Sequence, residues 1–533
     1  MIGYSKDRSP ESKEADMNEI LVAGVDTSTQ SCKVRVTEAR TGRLVRFGKA
    51  PHPAGTSVNP MAWWKAFQEA SAQAGGLNDV SAISVGGQQH GMVLLDSQGQ
   101  VIRDALLWND TRSAPDADDL INRLAGPKTG EAENARAESD EPNKGPESNP
   151  NSNLDLAMRG KQAWVRAVGS SPVASLTITK VAWVSRVEPD NARAIAAICL
   201  PHDWLSWVIA GHGPEADPGT EPGLENLFTD RSDASGTGYY DPATDRYRRD
   251  LLAMALPDGM AERVILPKVL APHQVGAKAD PRIAGRDVPG GCIIAPGGGD
   301  NAMTALGLAM QVGDVSISLG TSGVAAAVSP VPAYDMSASV TGFADATGHW
   351  LPLACTINAS RILDAGLAAL GTHYDGLAEL AEKSSPGAEG ITLIPYFDGE
   401  RTPNRPDAHA RLEGLTLDNT TRTNLARAFV EGLLCSQRDC LELLKRLGTT
   451  VSRILLVGGG AKSPAVRAYA PGILGMDVQL PRPDEYVAIG AARQAAWALT
   501  GEGEPPIWPV DIETTLTGAP CEKVYQQYLR WRG

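Results

Sequence analysis

Three glycine-flanked runs hold the side chains with most chemical capacity. Pro296-Gly297-Gly298-Gly299-Asp300-Asn301 sets a carboxylate directly after three glycines and after the apolar stretch 292–295. Glycine lets a ligand approach the backbone closely, so Asp300 is placed to face a cleft with little cover and to act as a general base. Asp is also favoured as the cap of a helix starting at Asn301 or Ala302, and the two roles are compatible. In Gly86-Gly87-Gln88-Gln89-His90-Gly91-Met92, two amides and an imidazole sit on a turn after the apolar stretch 82–85. These groups suit hydrogen bonding to a polyol, although a lone histidine is more often structural. Leu107-Trp108-Asn109-Asp110-Thr111-Arg112 adds an aromatic face; Trp108 can equally serve a core, and Asp110 with Arg112 a surface pair. Leu456-Val457-Gly458-Gly459-Gly460-Ala461-Lys462-Ser463 runs from a strand through a triple glycine into a helix, a turn against which a flat ring or a phosphate can lie.

Several common chemistries lack their patterns. The chain contains neither GxGxxG nor GxxxxGK[ST], and it has no HExxH, EF-hand loop or GxSxG elbow. Dinucleotide-dependent dehydrogenation, P-loop nucleotide hydrolysis, zinc proteolysis and α/β-hydrolase chemistry therefore lose support.

The elements that must position these runs are short apolar strands alternating with amphipathic helices. Residues 19–25 are apolar up to Asp26, residues 32–37 alternate as a half-buried strand does, and 27–31 form the polar turn between them. The plan recurs with 315–319, the turn Gly320-Thr321-Ser322-Gly323, and 324–328. Two such hairpins suggest two related domains, each opening on a turn able to hold an anion, although two unrelated turns would look the same on shape alone. Trp63, Phe67 and Ala70 fit one helix face, and Leu425, Phe429 and Leu433 another. The mixture predicts an α/β fold.

With 533 residues the chain should form two or more domains. Lys+Arg 49 against Asp+Glu 63 gives 49 − 63 = −14, which argues against a nucleic-acid or anionic-membrane partner. The seven cysteines are scattered and never spaced as CxxC, as expected of free thiols in the cytoplasm. Residues 1–17 read as a disordered tail, neither signal peptide nor anchor, and no apolar run approaches the roughly 20 residues that span a bilayer. Residues 126–153 contain no Val, Ile, Leu, Met or aromatic side chain and read as a mobile insertion; 212–226 is a second Gly-, Pro- and acid-rich one.

In this order, the motifs resemble the FGGY family of carbohydrate kinases from about residue 19 to 499. The resemblance implies two actin-like, ribonuclease-H-like domains with a catalytic cleft between them. One covers 18–309, with the sugar site, first phosphate loop and catalytic Asp; the other covers 310–533, with the second phosphate loop and adenosine site. It further implies ATP and Mg²⁺ as cofactors, with Thr29, Gln30, Ser31 and Lys33 near the ATP phosphates and Asp26 near the metal. Gly320 and Thr321 resemble the second phosphate loop, Gly459, Gly460 and Ala461 the adenosine turn, and Asp300 the catalytic base. Gln89, His90, Trp108, Asp300 and Asn301 fall in the sugar site. The Gly-Gln-x-His-Gly form at 87–91 is that of members acting on D-xylulose, whereas those acting on glycerol carry Arg-Glu at these two places. The implied activity is ATP-dependent phosphorylation of D-xylulose to its 5-phosphate in pentose catabolism. The alternatives are a kinase for ribulose, gluconate or a pentitol, or a non-catalytic sugar or nucleotide sensor. A homodimer is compatible with this reading. Ser28 stands where the family commonly has glycine, and Pro464 where relatives often have a polar residue.

Overall fold

The computed structural model describes residues 20–126 and 150–533. The expected tail 1–17 and residues 127–149 of the expected insertion lie outside them, while positions 150–153 open the helix Pro150–Val168. The second expected insertion, 212–226, folds against a core tryptophan. Trp207 Nε1 donates to Gly223 O at 2.9 Å and its ring stacks on His212.

Contacts divide the chain into two compact units. One holds the described residues up to Gly307 with Ala344–Gly348 and Tyr486–Pro509; the other holds Leu308–Phe343, His349–Glu485 and Val510–Gly533. Tyr486–Pro509, which the sequence groups with 310–533, thus packs within the first unit.

The first unit is built on a sheet in which β1 (Leu21–Thr27), β2 (Ser31–Glu38) and β3 (Leu44–Pro51) run antiparallel in succession. β4 (Val80–Gly87) lies parallel to β1 on its other side, with Asp26 opposite Gly86 and Thr27 opposite Gly87. Ile293–Ile294 and Gly298–Gly299 continue the parallel pairing on the far side of β4. β1 is apolar on both faces because both are covered. Ala23, Val25, Ile83 and Val85 join a core with Trp63 and Phe67 of α1 (Met61–Gln73) and with Trp204. Val22 and Ala82, pointing the other way, meet Ala492, Ala495 and Ala496.

That second face depends on backbone proximity. The chain carries α2 (Asp300–Gly307) and α3 (Tyr486–Thr500), and α3 is lined with alanine and glycine where it crosses the sheet and α2. A Cβ added to Gly24 would lie 2.0 Å from Ala488 O; one on Gly307, 2.1 Å from Tyr486 O; one on Gly490, 1.9 Å from Met303 O. No residue but glycine fits these three contacts. This fit explains why Tyr486–Pro509 belongs to the first unit although the chain reaches it last.

The second unit repeats the plan. β5 (Asp314–Leu319), β6 (Gly323–Ala327) and β7 (Trp350–Thr356) form an antiparallel succession, and β8 (Arg453–Val457) lies parallel to β5. The four named strands lie in the same spatial order in both sheets, β3-β2-β1-β4 in the first and β7-β6-β5-β8 in the second, where the strand Val340–Ala344 is added outside β7. The helix Arg422–Arg446 sets Phe429 and Leu433 in the second core with Leu425 packed against it, as their spacing predicts. Two α/β units of one design, each opening on a hairpin, agree with the expectation of paired actin-like domains. Among the described residues, no helix is long and apolar enough to cross a membrane.

Gly490→Ala should destabilise the protein by at least about 1–3 kcal/mol, because the added methyl meets backbone that cannot rotate away. Urea unfolding tests this; an unchanged midpoint would show that the helices separate freely.

Candidate active site

In both units, the loops singled out by sequence lie at the carboxyl ends of parallel strands, where open α/β sheets bind ligands. In the first unit these ends belong to β1, β4 and the Gly298–Gly299 bridge. The parallel register brings Asp26, Gln88 to His90 and Asp300 to one edge of one sheet.

The turn after β1 spans three residues, Ser28, Thr29 and Gln30. Asp26 organises it: its Oδ1 accepts the Ser28 backbone N–H at 3.0 Å and also the Ser28 hydroxyl, while Lys33 Nζ donates to Oδ2 at 2.9 Å. Ser28 thus adds a side-chain bond to the turn. His52 Nδ1 lies 2.8 Å from Ser28 O, and Trp108 Nε1 donates to Thr29 Oγ1 at 2.9 Å. Trp108 is 47% exposed, so it lies outside the core. Ser31 is buried at the start of β2, whereas Gln30 is exposed. Asp110 accepts from Thr56 Oγ1 and Arg112 rather than forming a free surface pair; burial raises its pKa, but the Arg112 and Thr56 hydrogen bonds prevail and lower it.

Asp300 is the first residue of α2 and emerges from Gly297-Gly298-Gly299. These glycines are required by contact as much as by conformation. Gly297 has φ 83°, and Cβ atoms on Gly298 and Gly299 would stand 2.4 Å from Met303 Cε and 2.6 Å from Gln89 Nε2. The run is gripped from α3: the buried Gln494 accepts Gly297 N–H and donates to Gly297 O, both at 2.9 Å, and accepts Ser84 Oγ at 2.6 Å. Burial, followed by the negative charge of Asp26, raises the Asp300 carboxyl from an ordinary 3.8 to about 7. Asn301 Nδ2 donates to Gln89 Oε1 at 2.7 Å and to Asp300 Oδ1 at 3.2 Å, linking the Asp300 carboxyl to the Gln89 amide.

His90 adopts φ 66°, a left-handed conformation uncommon for a residue with a side chain. Its N–H donates to Asp233 Oδ1 at 3.4 Å, and its carbonyl accepts from Thr177 Oγ1 at 3.3 Å and Lys180 Nζ at 3.0 Å. Thr177, Lys180 and Asp233 are fully buried. Burial lowers the Lys180 ammonium to about 7, with Asp110 and Asp233 opposing the shift. Beneath the loop, His202 Nε2 lies 3.2 Å from Asp203 Oδ1 and 3.3 Å from Asp233 Oδ2. Burial pushes His202 down to about 3 and both carboxyls up, so it favours the uncharged form of each group. The Gln88 side chain is buried, and neither amide atom has a hydrogen-bond partner among the described residues.

In the second unit, Gly320 and Thr321 follow β5 while Gly459, Gly460 and Ala461 follow β8, so the parallel pairing Ser318–Val457 brings the two turns together. Thr321 and Gly459 are exposed, and Gly460 and Ala461 are buried. Gly458, at φ 90°, passes so near Leu319 that a Cβ would meet its backbone at 2.8 Å. Pro464 takes the first turn of the helix Pro464–Leu474, a position where its missing N–H is no loss.

Gln494, Asp233, Thr177, Lys180 and His202 escaped the sequence reading because each acts from far along the chain. One signal was available for Lys180. It lies among Ile178, Val181 and Val184 in the helix Thr177–Val187, where a lysine interrupts an apolar face.

Models of the FGGY family of carbohydrate kinases match residues 21–136 and 156–307 for the N-terminal domain and 315–499 for the C-terminal domain. The chain is 40% identical over 491 residues to a xylulose kinase of Streptomyces coelicolor, covering 90% of this chain and 89% of that one. The same figures describe its match to a xylulose kinase of Streptomyces rubiginosus. It superposes on the crystal structure of xylulose kinase from Bifidobacterium adolescentis with a TM-score of 0.90 and 65% identity, over 97% of this chain and all of that one.

A carboxyl with a higher pKa in the folded chain than in the unfolded one holds its proton longer when folded, so its ionisation costs stability as pH rises from 3.8 through about 7. Asp300→Asn should therefore unfold at a higher temperature than the parent at pH 8, with the gain vanishing towards pH 4. Thermal melts at both pH values test this; a gain of equal size at both would show that ionisation is not its source.

Proposed function

Because the chain belongs to the FGGY family of carbohydrate kinases, we propose that it transfers the terminal phosphoryl group of ATP to the terminal hydroxyl of D-xylulose, giving the 5-phosphate. The observation that carries this reading is the juxtaposition in one unit of a near-neutral carboxyl, Asp300, with the Gln89–Asn301 pair and the His90 loop. Its relatives named as xylulose kinases, up to 65% identical, favour that sugar over others.

Asp300 accepts the hydroxyl proton as the sugar oxygen attacks the γ-phosphorus in line. A carboxylate with an ordinary pKa would be a weak base for an alcohol, and one raised to about 7 is better matched to the task. Gln89, His90 and Asn301 bind the sugar hydroxyls, and Trp108 supplies an apolar wall beside them. Thr29, Gln30, Ser31 and Lys33 bind ATP phosphates, as do Gly320 and Thr321, while Gly459, Gly460 and Ala461 hold the adenosine. The seven cysteines are free thiols, which favours a cytoplasmic setting.

Mg²⁺ fits this chain as a companion of the nucleotide. No group of three or more His, Cys, Asp or Glu side chains among the described residues could hold a metal by itself. Asp26 offers one carboxylate, already tied to Lys33 and Ser28. One carboxylate plus substrate phosphates is a usual Mg²⁺ environment, and the ion offsets charge on the transferring group.

An ADP-release assay over ketoses, polyols and aldonates should give its highest kcat/KM with D-xylulose. A higher value with ribulose, gluconate or a pentitol would reassign the substrate, and binding without ADP release would make the protein a sensor. Asp300→Ala should lower kcat by about 10²–10⁴ while ATP still binds; near-normal turnover would remove Asp300 from the chemistry. Mg²⁺ alone should leave the melting temperature unchanged, Mg²⁺ with ATP should raise it, and EDTA should abolish turnover. A shift with Mg²⁺ alone would instead reveal a resident metal site.

A further inference from the structure

His90, in the polar loop after β4, has its backbone held at both ends by buried side chains distant in sequence. Its φ of 66° is a conformation that costs on the order of 1–3 kcal/mol for a residue with a side chain and persists only where the surroundings over-determine it. The surroundings here do so. The N–H is taken by Asp233 Oδ1, and the carbonyl receives both Thr177 Oγ1 and Lys180 Nζ. The ring is fixed as well: a Cβ on Gly236 would lie 2.3 Å from His90 Nδ1, so the imidazole lies directly against that glycine.

Lys180 makes the arrangement hard to explain as packing alone. It is fully buried, makes no ion pair with a carboxylate among the described residues, and donates to two backbone carbonyls, those of His90 and Ser175. Asp110 and Asp233 offset part of the cost of burying this group, but neither forms a direct ion pair with it, and a methionine of similar length would fill the space at less expense. What the ammonium provides and a thioether does not is a donor aimed at the carbonyl of His90.

We infer that Thr177, Lys180 and Asp233 are positioning residues for sugar recognition: they clamp the His90 peptide in its left-handed conformation and so aim the imidazole at a sugar hydroxyl. This inference rests on the proposed sugar site. It extends that reading to three residues from elsewhere in the chain, 87 to 143 positions from His90. Thr177 and Lys180, one turn apart on one helix, act on the carbonyl, while Asp233, from the short helix Arg231–Ala234, acts on the amide.

The test compares Lys180→Met, Thr177→Val, Asp233→Ala and Asp233→Asn with the parent protein, each alone and combined with His90→Ala. Lys180→Met should raise the KM for D-xylulose about tenfold or more while the KM for ATP stays within twofold, since small misplacements of a binding group are amplified in this way. Thr177→Val, which keeps shape and removes one donor, should do the same to a smaller degree. Asp233→Asn retains an acceptor for the His90 N–H and should lose less than Asp233→Ala. On the His90→Ala background none of the substitutions should raise the sugar KM further, because residues acting only through one group are not additive with its removal. Hydrogen exchange without ligand gives a second readout: the peptide containing 88–92 should exchange faster in Lys180→Met and Thr177→Val while the sheet strands remain protected.

Unchanged sugar KM, equal rises for sugar and ATP, or full additivity with His90→Ala would each overturn the clamp. If the parent releases no ADP with any sugar, the proposed function fails separately. The clamp is then judged by exchange alone, and parental exchange at 88–92 in both variants would overturn it.

Discussion

The contact between α3 and the strand ends of the first unit is the constraint on which the candidate site depends. Glycines at 24, 307 and 490 bring backbone against backbone, and Gln494 spends its amide on both polar groups of Gly297. A side-chain amide here satisfies a backbone N–H and C=O that would otherwise need partners from neighbouring main chain. The glycine run that ends in Asp300 is thereby anchored by a helix nearly two hundred residues downstream. If α3 stood even one methyl group further out, Gln494 would lose Gly297, and the carboxyl would be attached to an unsupported loop.

Anchoring of this kind is needed because the site works against stability. Asp300 lies within the field of Asp26, and Asp233 below it feels the charges of Asp203, Asp230 and Asp300 in turn. Acids gathered at one sheet edge repel one another when ionised, and burial makes their neutral forms the favoured ones. The sheet, the glycine contacts and the large apolar cores supply the cohesion that holds them together. A carboxyl kept near neutrality is what a base for an alcohol needs, so the same repulsion that weakens the fold suits the chemistry proposed for it.

Much of this was legible in the sequence, and the reasons for success and failure are physical. Hairpins 21–38 and 314–327 announced themselves because both faces of their strands are buried and their turns are short and polar. Asp300, Gln89, His90 and the triple glycines were legible because close approach demands glycine, and glycine beside a polar residue is visible locally. Gln494 and Asp233 were not, because a buried polar residue in a helix looks like a surface one until its partner is known, and Lys180 left only the trace of a lysine interrupting an apolar face. The place of Tyr486–Pro509 in the first unit escaped for a related reason: a run of alanine and glycine predicts close packing but not its partner.

The two loops of the first unit are held in contrasting ways, and the contrast fits what each would recognise on the proposed reading. The turn at 28–30 is fixed by local and partly exposed bonds, from Asp26, His52 and Trp108, and offers backbone amides and small hydroxyls. Such groups suit phosphates, whose charge and shape are the same in every nucleotide triphosphate. The His90 loop is held by buried side chains and offers an imidazole in a fixed direction. Sugars differ from one another by the orientation of single hydroxyls, and rejecting the wrong one requires a polar group that cannot turn to meet it. A flexible imidazole would satisfy either epimer, whereas one attached to a left-handed peptide clamped at both ends would leave the wrong hydroxyl unpaired. On the proposed reading, the strain at His90 and the buried Lys180 thus lie where both the hold on the right sugar and the rejection of the wrong one would be set.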